Sequence, residues 1–517
     1  MNHAEVITWP TEKQNNPAIS DIRKKCDDFC KIEKGDFKPN EIFSGSHCRY
    51  FRKLIFDVVK IQPEETFEQD GYISIWLTKY CNVGCEFCFY RSPKHTRKDK
   101  EGNITRDGVQ KIIQFINSSN ISEILLSGGG EPFLRFESIC QIIENLKHGK
   151  IAIATSADWA SNQEKAAQKL SKLHEIISSN QNYIEVTLRL SVDRYHADRL
   201  DYDLSNVINV IRIFESNQQF GKSLKFALRS ITHDSTIDRL LNLLDVSQIQ
   251  RKSKTELFIT LKSGLIIPVK FRTPYNVDNQ ANLNNKALTQ KQIKVWEKDV
   301  TQNYGGNLSA VKRAKGKGLN LTIQYDGSLF LWGGNSPDNE MNIYEHDYET
   351  FHSESLRDII TISFLERGNH FRDSIINEVN PKAIQRAKAI GLRDFYGRVC
   401  FEEERTRLYF VIRAIQEYCR EGRISKAEFQ DYPLIIQNVL SLPKDELIRL
   451  YHLSENTIVN QYLNNPTLTL NQLINLYKLV VLGHYDMMPE EMRKIIFFSN
   501  KISPDLKNAF FNYVSKR

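Results

Sequence analysis

The sequence has 517 residues, of which 41% are hydrophobic and 26% are charged, as is usual for folded globular chains. Seventy lysines and arginines against 63 aspartates and glutamates give a net charge of +7, which is too small at this length to predict a nucleic-acid partner. There is no run of about 18 apolar residues and no apolar signal core at the start, so we expect a cytoplasmic protein without a membrane partner. The nine cysteines are then expected to be mostly reduced thiols.

The first 70 residues are mixed and polar, and a helix is predicted over residues 22–34. Cys26 and Cys30 lie four residues apart in that helix. Because two further ligands are missing nearby, the spacing favours packed thiols over a metal site. We expect this segment to be an N-terminal extension that either binds a leader peptide or caps the next domain.

Strands and helices alternate from residue 72 to residue 231. Strands are predicted over residues 72–77, 123–126, 150–155, 184–190 and 224–231, and helices over residues 106–117, 136–147, 162–178 and 204–216. This order predicts βα units around a parallel sheet, and therefore an α/β fold. Five such units fit an open or partial barrel, with a site at the carboxyl ends of the strands.

Short strands recur after residue 255, among them 257–261 and 319–324, and the sequence beyond about residue 375 turns helical. Helices are predicted over residues 382–390 and 405–421 and in several segments of 444–482. We therefore divide the chain into three parts. These are the extension (1–70), a core domain with trailing strands (71–340) and an α-helical C-terminal domain (341–517).

Three cysteines closely follow the first predicted strand. Cys81, Cys85 and Cys88 are spaced C-x3-C-x2-C in the segment TKYCNVGCEFCFY. Three thiolates on one loop can bind three irons of a [4Fe–4S] cluster and leave the fourth iron open. A zinc site with His95 as fourth ligand is the alternative, but structural zinc usually takes its ligands in pairs, and a second C-x2-C pair is missing. The basic segment 91–100 is expected to be a solvated loop.

A second motif, LLSGGGEPFL over residues 125–134, ends the next predicted strand. Its three consecutive glycines allow the backbone to approach a ligand closely. Glu131 can accept a hydrogen bond from a ligand ammonium group. In isolation this string would also suit an ordinary turn, but its place on the strand after the cysteine motif makes it specific.

Together these motifs resemble the radical S-adenosylmethionine (SAM) superfamily over roughly residues 72–235. The residues that carry the resemblance are Cys81, Cys85, Cys88, Phe87, Gly129, Gly130 and Glu131. The resemblance implies a partial (β/α)6 barrel, a [4Fe–4S] cluster and SAM, which chelates the open iron through its amino and carboxylate groups. An electron from the cluster then breaks the S–C5′ bond and releases a 5′-deoxyadenosyl radical. It also implies that the Gly-Gly-Glu strand holds the SAM amino group and that adenine lies near Phe87.

Later strand ends offer candidates for further SAM contacts. Ser156 ends the third strand, and Ser191 ends the fourth, where it is our candidate for a contact with the ribose. Arg229 lies on the fifth strand and could pair with the SAM carboxylate in a bidentate way. Each of the three is equally consistent with an ordinary polar residue at a strand end.

The sequence after the predicted barrel is poor in cysteine. Residues 326–332, DGSLFLW, resemble the start of an auxiliary-cluster domain, but Trp332 stands where a cysteine would be expected, and only Cys400 and Cys419 follow. Two thiols cannot hold a further cluster, so one cluster in total is predicted. A single-cluster enzyme can return a hydrogen atom to its substrate, and the weak S–H bond makes Cys400 the candidate catalytic donor. A buried thiol on a helix is the alternative reading of Cys400.

This arrangement resembles radical SAM peptide epimerases that act on ribosomally synthesised, proteusin-type peptides. Such an enzyme inverts an L-residue to D by removing the Cα hydrogen and returning a hydrogen from the opposite face. The strings TSADWA (155–160) and SVDRYH (191–196) are also similar to peptide-maturing members. The expected partners are a peptide substrate and an electron donor such as flavodoxin or ferredoxin. The alternatives are a crosslinking peptide maturase, a small-molecule or nucleotide radical SAM enzyme, and an iron–sulfur or zinc protein without turnover.

Overall fold

The structure is a computed structural model of the chain. It describes residues 42–43, 45–63, 72–85, 92–94, 102–182, 184–200, 203–222, 224–232, 234–272, 310–313, 316–319, 321–331, 341–390, 400–401, 403–481 and 489–515. The helix predicted over residues 22–34, with Cys26 and Cys30, lies outside these residues. So do His95 and Trp332.

A large sheet forms the centre of the described structure. The strands are β1 (Tyr72–Ile75), β2 (Glu123–Leu126), β3 (Gly149–Thr155), β4 (Ile184–Ser191), β5 (Leu224–Ile231), β6 (Val246–Ser253), β7 (Glu256–Leu261), β8 (Ile266–Arg272), β9 (Ala310–Arg313), β10 (Gly316–Leu319), β11 (Leu321–Ile323), β12 (Ser328–Leu331) and β13 (Met341–Asn342). Eleven of them are hydrogen-bonded in the order β13-β12-β11-β1-β2-β3-β4-β5-β8-β7-β6, and β9 pairs with β10 in a separate hairpin.

The middle of this sheet is parallel. The strands β11, β1, β2, β3, β4, β5 and β8 are parallel neighbours, and antiparallel strands extend both edges. The predicted α/β fold is confirmed, but the strand number of six is not, because β11 joins the far side of β1 as a seventh parallel strand. Within the described residues the order is linear, so the sheet is open and not a closed barrel.

Helices pack on one face of the sheet. The helices up to residue 241 are α1 (Gly45–Val58), α2 (Arg106–Asn117), α3 (Phe136–Asn145), α4 (Gln163–Ser179), α5 (Arg194–Leu200), α6 (Ser205–Ser216) and α7 (Thr236–Leu241). Along β4 the aliphatic residues are buried, and the alternate residues Glu185, Thr187, Arg189 and Ser191 are half-buried. Since successive side chains of a strand point to opposite faces, one face packs on the helices and the other is more polar.

The local pattern predicted several boundaries correctly. The predicted helix 106–117 and the predicted strands 123–126 and 224–231 have the bounds of α2, β2 and β5. Helix α2 begins after Thr105 because the Thr105 hydroxyl accepts a hydrogen bond of 3.0 Å from the Gly108 N–H. The predicted strand 72–77 is shorter in the structure, where β1 ends at Ile75.

The described residues from Tyr348 onward are mostly helical. The helices are α8 (Tyr348–Arg357), α9 (Ile359–Asn377), α10 (Pro381–Ile390), α11 (Glu404–Arg420), α12 (Lys426–Gln430), α13 (Leu434–Leu440), α14 (Lys444–Leu463), α15 (Leu470–Val481), α16 (Pro489–Phe498) and α17 (Pro504–Ser515). The α8 side chains Tyr348 and Phe351 pack in the core of the sheet, and the helices that follow form two further apolar cores. Helix α1 packs on α11, so part of the predicted N-terminal extension lies with the helical domain. Among the described helices, none is both long enough and apolar enough to cross a bilayer.

Candidate functional site

The loop that carries the three cysteines, called the cysteine loop below, follows the carboxyl end of β1. The parallel strands beside β1 end at the same edge of the sheet. Cys81 and Cys85 are partly exposed there, and Cys88 and Phe87 lie outside the described residues. Backbone hydrogen bonds hold the loop: Lys79 N–H donates to Gly102 O at 2.8 Å, and Cys81 N–H donates to Pro93 O at 2.9 Å. The two described thiols therefore lie at the predicted edge of the sheet.

The chemistry of Cys81 suits an iron ligand. The N–H groups of Val83 and Gly84 hydrogen-bond its sulfur, and a positive φ of 64° at Gly84 allows the turn. Burial, together with the charge of Glu131, raises the pKa of the Cys81 thiol to about 12 despite these donors. A metal would replace that proton, since iron binds the thiolate. Among the described residues no group of three His, Cys, Asp or Glu side chains is placed to hold a metal, and Cys88 falls outside that set.

The three glycines bring the end of β2 against the cysteine loop. Gly128 and Gly129 have positive φ angles of 93° and 71°. A Cβ atom at Gly130 would lie 2.1 Å from the carbonyl oxygen of Tyr80, a distance no real Cβ adopts. The next residue, Glu131, donates its N–H to the same oxygen at 2.8 Å. These glycines thus allow the backbone to approach the cysteine loop closely. Contact of Gly129 and Gly130 with SAM stays a prediction.

The Glu131 side chain turns toward β3. It is 3% exposed, and each carboxylate oxygen accepts two hydrogen bonds. One oxygen accepts from Phe133 N–H at 3.1 Å and from the Thr155 hydroxyl at 2.7 Å. The other accepts from the N–H and the hydroxyl of Ser156, both at 2.9 Å. Burial raises the pKa of Glu131, and the nearby charge of Asp158 raises it further. The ligand-ammonium role predicted for Glu131 stays a prediction, because its acceptor positions are filled from within the chain.

The turn after β3 connects this carboxylate to the cysteine loop. Ser156 is 4% exposed and lies 3.3 Å from Asp158 through its hydroxyl. Asp158 accepts a hydrogen bond of 2.9 Å from the side chain of Asn82, which follows the first cysteine. The turn also contains a strained residue, Ala157, with a φ of 61°. Sequence reasoning singled out the string TSADWA but not Asn82, whose only sequence signal is its place inside the cysteine motif.

Ser191 and Arg229 lie next to each other at the ends of β4 and β5. They are register partners in the parallel ladder, and both are half-buried. The Val192 N–H donates to Arg229 O at 2.7 Å and so continues the ladder past Ser191. The structure thus brings these two predicted residues together at the same edge as the cysteines. Their contacts with the ribose and the carboxylate of SAM stay predictions.

Asp193 and His196 follow β4, and their side chains are hydrogen-bonded to each other. The ring nitrogen Nδ1 of His196 lies 2.9 and 2.8 Å from the two carboxylate oxygens of Asp193. The same ring hydrogen-bonds Cys85. Burial alone would lower the pKa of His196, but the charges of Asp193 and Cys85 outweigh it and hold that pKa well above its usual value. Sequence reasoning noted SVDRYH without assigning a role to His196.

Cys400 lies in a helical core and not at this edge of the sheet. It is 1% exposed and shares its core with Phe364 and Phe410. That environment corresponds to the alternative reading of a packed thiol. Its role as a hydrogen donor stays a prediction.

Comparison with known proteins supports a cluster site. Residues 70–191 match the model of a family described as "4Fe-4S single cluster domain". The chain is 22% identical over 307 residues to "Radical SAM cyclopropyl synthase TigE" of Paramaledivibacter caminithermalis, which covers 54% of this chain and 60% of that relative. The solved structure "Native anSMEcpe with bound AdoMet" is matched over 68% of this chain and 100% of that one, with 13% identity and a TM-score of 0.34.

The matched cluster domain and the relative's description as a radical SAM enzyme agree with the motifs that carry the resemblance to that superfamily. The cofactors that these matches indicate are a [4Fe–4S] cluster and S-adenosylmethionine. The described donor set fits the first of them, because two thiols lie on one loop at the open edge of the sheet. The chain spans about 60% of the length of the curated relative that it matches.

Proposed function

We propose that the chain is a radical SAM enzyme whose substrate is a ribosomally synthesised peptide. The observation that carries this proposal is the packing of the cysteine loop on the Gly-Gly-Gly-Glu turn, at the carboxyl edge of parallel strands. When bound, the cluster and SAM supply a 5′-deoxyadenosyl radical, which removes a hydrogen atom from the substrate. The protein positions and shields this chemistry.

The residues of the chain divide this task. Cys81, Cys85 and Cys88 would hold three irons. Glu131 and the turn after β3 would keep the cysteine loop in place through the Asn82–Asp158 hydrogen bond of 2.9 Å. Five further residues are our candidates for contacts with SAM. They are Phe87 near adenine, Gly129 and Gly130 near the amino group, Ser191 near the ribose and Arg229 near the carboxylate.

Two observations support a peptide as substrate. The strings TSADWA and SVDRYH are similar to peptide-maturing members, and in this chain both follow strand ends at the site edge. The described sheet is also open. A long chain can therefore approach the strand ends from the side, whereas a closed barrel would admit it only through its mouth.

For the reaction outcome we propose epimerisation, in which the substrate loses its Cα hydrogen and regains one from a thiol. Cys400 is the donor that the sequence suggests. Its 1% exposure means that the helical core would have to open before the thiol reached a substrate carbon. The resulting thiyl radical would need one electron from the external reductant and one proton from solvent before the next turnover.

A second outcome is favoured by the relative's name, which describes a cyclopropyl synthase. Forming a ring or a crosslink requires no hydrogen donor, so the burial of Cys400 does not oppose it. The substrate would lose two hydrogen atoms in total, one to the deoxyadenosyl radical and one as a proton released to solvent with an electron that the oxidised cluster would accept.

The first experiment tests the enzyme reading. Reconstituted protein is incubated with dithionite and SAM, and 5′-deoxyadenosine is quantified; Cys81→Ala is the inactive control. Formation of 5′-deoxyadenosine by the wild type alone supports the proposal. If a preparation with full iron content forms no 5′-deoxyadenosine, the enzyme proposal is wrong and the chain is an iron–sulfur protein without turnover.

The second experiment separates the outcomes. The enzyme is incubated in D₂O with synthetic candidate precursor peptides taken from the short reading frames near its gene, and the product mass is measured. Epimerisation adds about one mass unit per event, since a thiol exchanges with solvent, whereas ring or crosslink formation removes about two. Cys400→Ala should abolish the mass gain, and Cys140→Ala, a buried thiol of the sheet core, should not. Full epimerisation by Cys400→Ala would remove Cys400 as donor.

A further inference from the structure

The strand β6 ends the central sheet on one side. It covers Val246–Ser253, and every residue after Val246 is exposed. Among the described strands it pairs with β7 alone, in regular register over residues 248–251 and with an irregularity on either side. A strand at the end of a sheet presents N–H and C=O groups that can pair with another extended chain. β6 contains no proline, which would remove one of these groups.

β6 runs in the same direction as the parallel core strands. It is antiparallel to β7, which is antiparallel to β8, and β8 is parallel to β5. The carboxyl end of β6 therefore lies at the same edge of the sheet as the cysteine loop. Three strand spacings of about 4.8 Å separate β6 from β5, or about 14 Å in total. Because an extended chain advances about 3.3 Å per residue, about four or five residues can bridge this distance.

Basic side chains cluster at the carboxyl end of β6. The strand and the residue after it read VSQIQRKSK, which includes Arg251, Lys252 and Lys254 and no acidic residue. The Arg251 guanidinium lies 5.9 Å from the ring centre of Phe271, and the Lys252 ammonium lies 5.8 Å from that of Phe258. Since successive side chains of a strand point to opposite faces, these aromatic contacts hold a cation on each face of β6.

The acidic residues of the β6–β7 hairpin are paired with other lysines. Asp245, before β6, lies 3.7 Å from Lys262. Glu256, at the start of β7, lies 3.8 Å from Lys270 of β8. The carboxyl end of β6 therefore keeps an excess of positive charge, which favours a partner that carries carboxylates.

Charges on an edge strand can also serve only to keep two copies of a protein from pairing. That role does not account for Ile249, which lies in the regular stretch of β6 and is 50% exposed. A peptide that adds a strand to a sheet is recognised through alternate side-chain positions. Ile249 offers such a peptide an apolar contact beside Arg251, which lies two residues further on the same face.

We propose that the edge of β6 binds an acidic, extended segment of the peptide substrate as an additional strand. Main-chain hydrogen bonds hold this segment, and its carboxylates face Arg251, Lys252 and Lys254. Because β6 points toward the site, about four or five further residues bring the position to be modified to the end of β5. This inference rests on the proposed function and adds the class of peptide that the enzyme accepts.

The test measures the binding of a synthetic peptide to the full-length protein. The probe is a fluorescein-labelled peptide of about ten residues in which glutamate alternates with valine, a length that covers one strand. One control peptide has lysine in place of glutamate. Another has all of its backbone nitrogens methylated, which removes its backbone hydrogen-bond donors.

Fluorescence anisotropy gives the affinities of these peptides for the wild type, Lys252→Glu and Lys262→Glu. The two variants change the net charge equally. Lys262 is the matched control, because it is 72% exposed at the opposite end of the same hairpin. Hydrogen exchange resolved to single amides follows β6 with and without the acidic peptide.

We expect the acidic peptide to bind the wild type and the lysine peptide not to bind. The affinity should fall about fivefold in Lys252→Glu, because an attraction becomes a repulsion, and should not change in Lys262→Glu. The methylated peptide should bind about tenfold more weakly or less, because it cannot donate main-chain hydrogen bonds. Exchange should slow in those β6 amides that do not pair with β7 once the acidic peptide is added.

Several results would overturn the inference. They are a failure of the acidic peptide to bind the wild type, equal affinities for the wild type and Lys252→Glu, and equal losses in the two variants. Equal binding of the methylated peptide would do the same, because charge alone would then explain the binding. So would slow exchange of the outer β6 amides before any peptide is added, because a second copy or another segment of the chain would then occupy the edge.

This experiment is independent of the cluster chemistry. Peptide binding is measured without SAM and without a reductant. Its failure therefore leaves the formation of 5′-deoxyadenosine unaffected, and only the absence of that product refutes the proposed enzyme activity.

Discussion

Replacing Glu131 tests whether its carboxylate holds the site together or faces SAM. Glu131→Gln keeps the shape of the side chain but exchanges one acceptor oxygen for an NH₂ group. In the structure the carboxylate accepts four hydrogen bonds, two of them from the backbone N–H groups of Phe133 and Ser156. Whichever way the amide is oriented, one of these backbone donors loses its acceptor. The Thr155 and Ser156 hydroxyls can rotate, but a backbone N–H cannot.

The expected magnitude follows from that count. A buried donor left without a partner costs about 1–3 kcal/mol, so Glu131→Gln should destabilise the Gly-Gly-Gly-Glu turn by about 2 kcal/mol. Glu131→Ala removes all four acceptor positions and leaves both backbone donors unpaired, which gives about 4 kcal/mol. Because every 1.4 kcal/mol is a factor of ten, local opening should become roughly 30-fold more frequent in the Gln variant.

Hydrogen exchange with mass spectrometry measures this opening directly. Peptides that cover residues 126–135 and 150–160 should exchange faster in both variants, and more so in Glu131→Ala. Glu123→Gln is the matched control, because Glu123 is exposed at the start of β2, the strand that precedes Glu131. Its exchange in the two peptides should equal that of the wild type.

One result would refute this reasoning. If Glu131→Gln left exchange at wild-type rates in both peptides, the carboxylate would not hold the turn. If the same variant also bound SAM more weakly, the ammonium contact predicted from the sequence would be the better account of Glu131. Faster exchange together with unchanged SAM affinity would exclude that contact.

Three further predictions concern other parts of the chain. Gly130→Ala should lower the iron bound per chain after reconstitution, because its Cβ would lie 2.1 Å from a carbonyl oxygen of the cysteine loop. Gly221→Ala is the control, since a Cβ at Gly221 meets no atom within 4 Å. Equal iron content in the two variants would contradict the prediction. Burial raises the pKa of Asp57 from 3.8 to about 6, so the folded chain retains a proton that the unfolded chain releases, and stability falls as pH rises between these values. Asp57→Asn should remove this pH dependence of the free energy of unfolding, measured with urea from pH 4 to 7. If the free energy of unfolding still falls in the variant, another group is responsible. Cys400→Ala should weaken the helical core by about 1–2 kcal/mol in the same measurement, whereas Cys140→Ala should leave that transition unchanged.

The elements of the sheet could be predicted where their signals are local. Apolar periodicity and the Thr105 cap define α2, and short apolar runs define β2 and β5. The strand β11 was predicted within residues 319–324, but its place as the seventh parallel strand was not, because that place depends on pairing Ile73 with Leu321 across most of the core domain. Only the tertiary fold decides on which side of β1 such a strand joins the sheet.

The sequence indicated the cysteine loop and the glycine turn, but not how the side chains around them are oriented. The spacing of the cysteines and the string of glycines identified the loop and its neighbour. The orientation of Glu131 depends on donors from β3, and the contact of His196 with Cys85 depends on two loops separated by two intervening strands. Neither relation has a fixed spacing in sequence, so no motif could indicate it.

The fate of the substrate radical depends on which groups can reach it. Cys400 was inferred as the donor because few cysteines follow the barrel in the sequence. Its 1% exposure within the helical core depends on packing, which the sequence does not show. Opening that core would expose apolar side chains such as Phe364 and Phe410, at about 25 cal/mol for each Å² of apolar surface. Hydrogen return by Cys400 therefore requires peptide binding to offset this cost, whereas ring formation does not. If epimerisation is found, exchange in the helices around Cys400 should increase when the peptide binds, and an unchanged helical core would assign the donor role to another group.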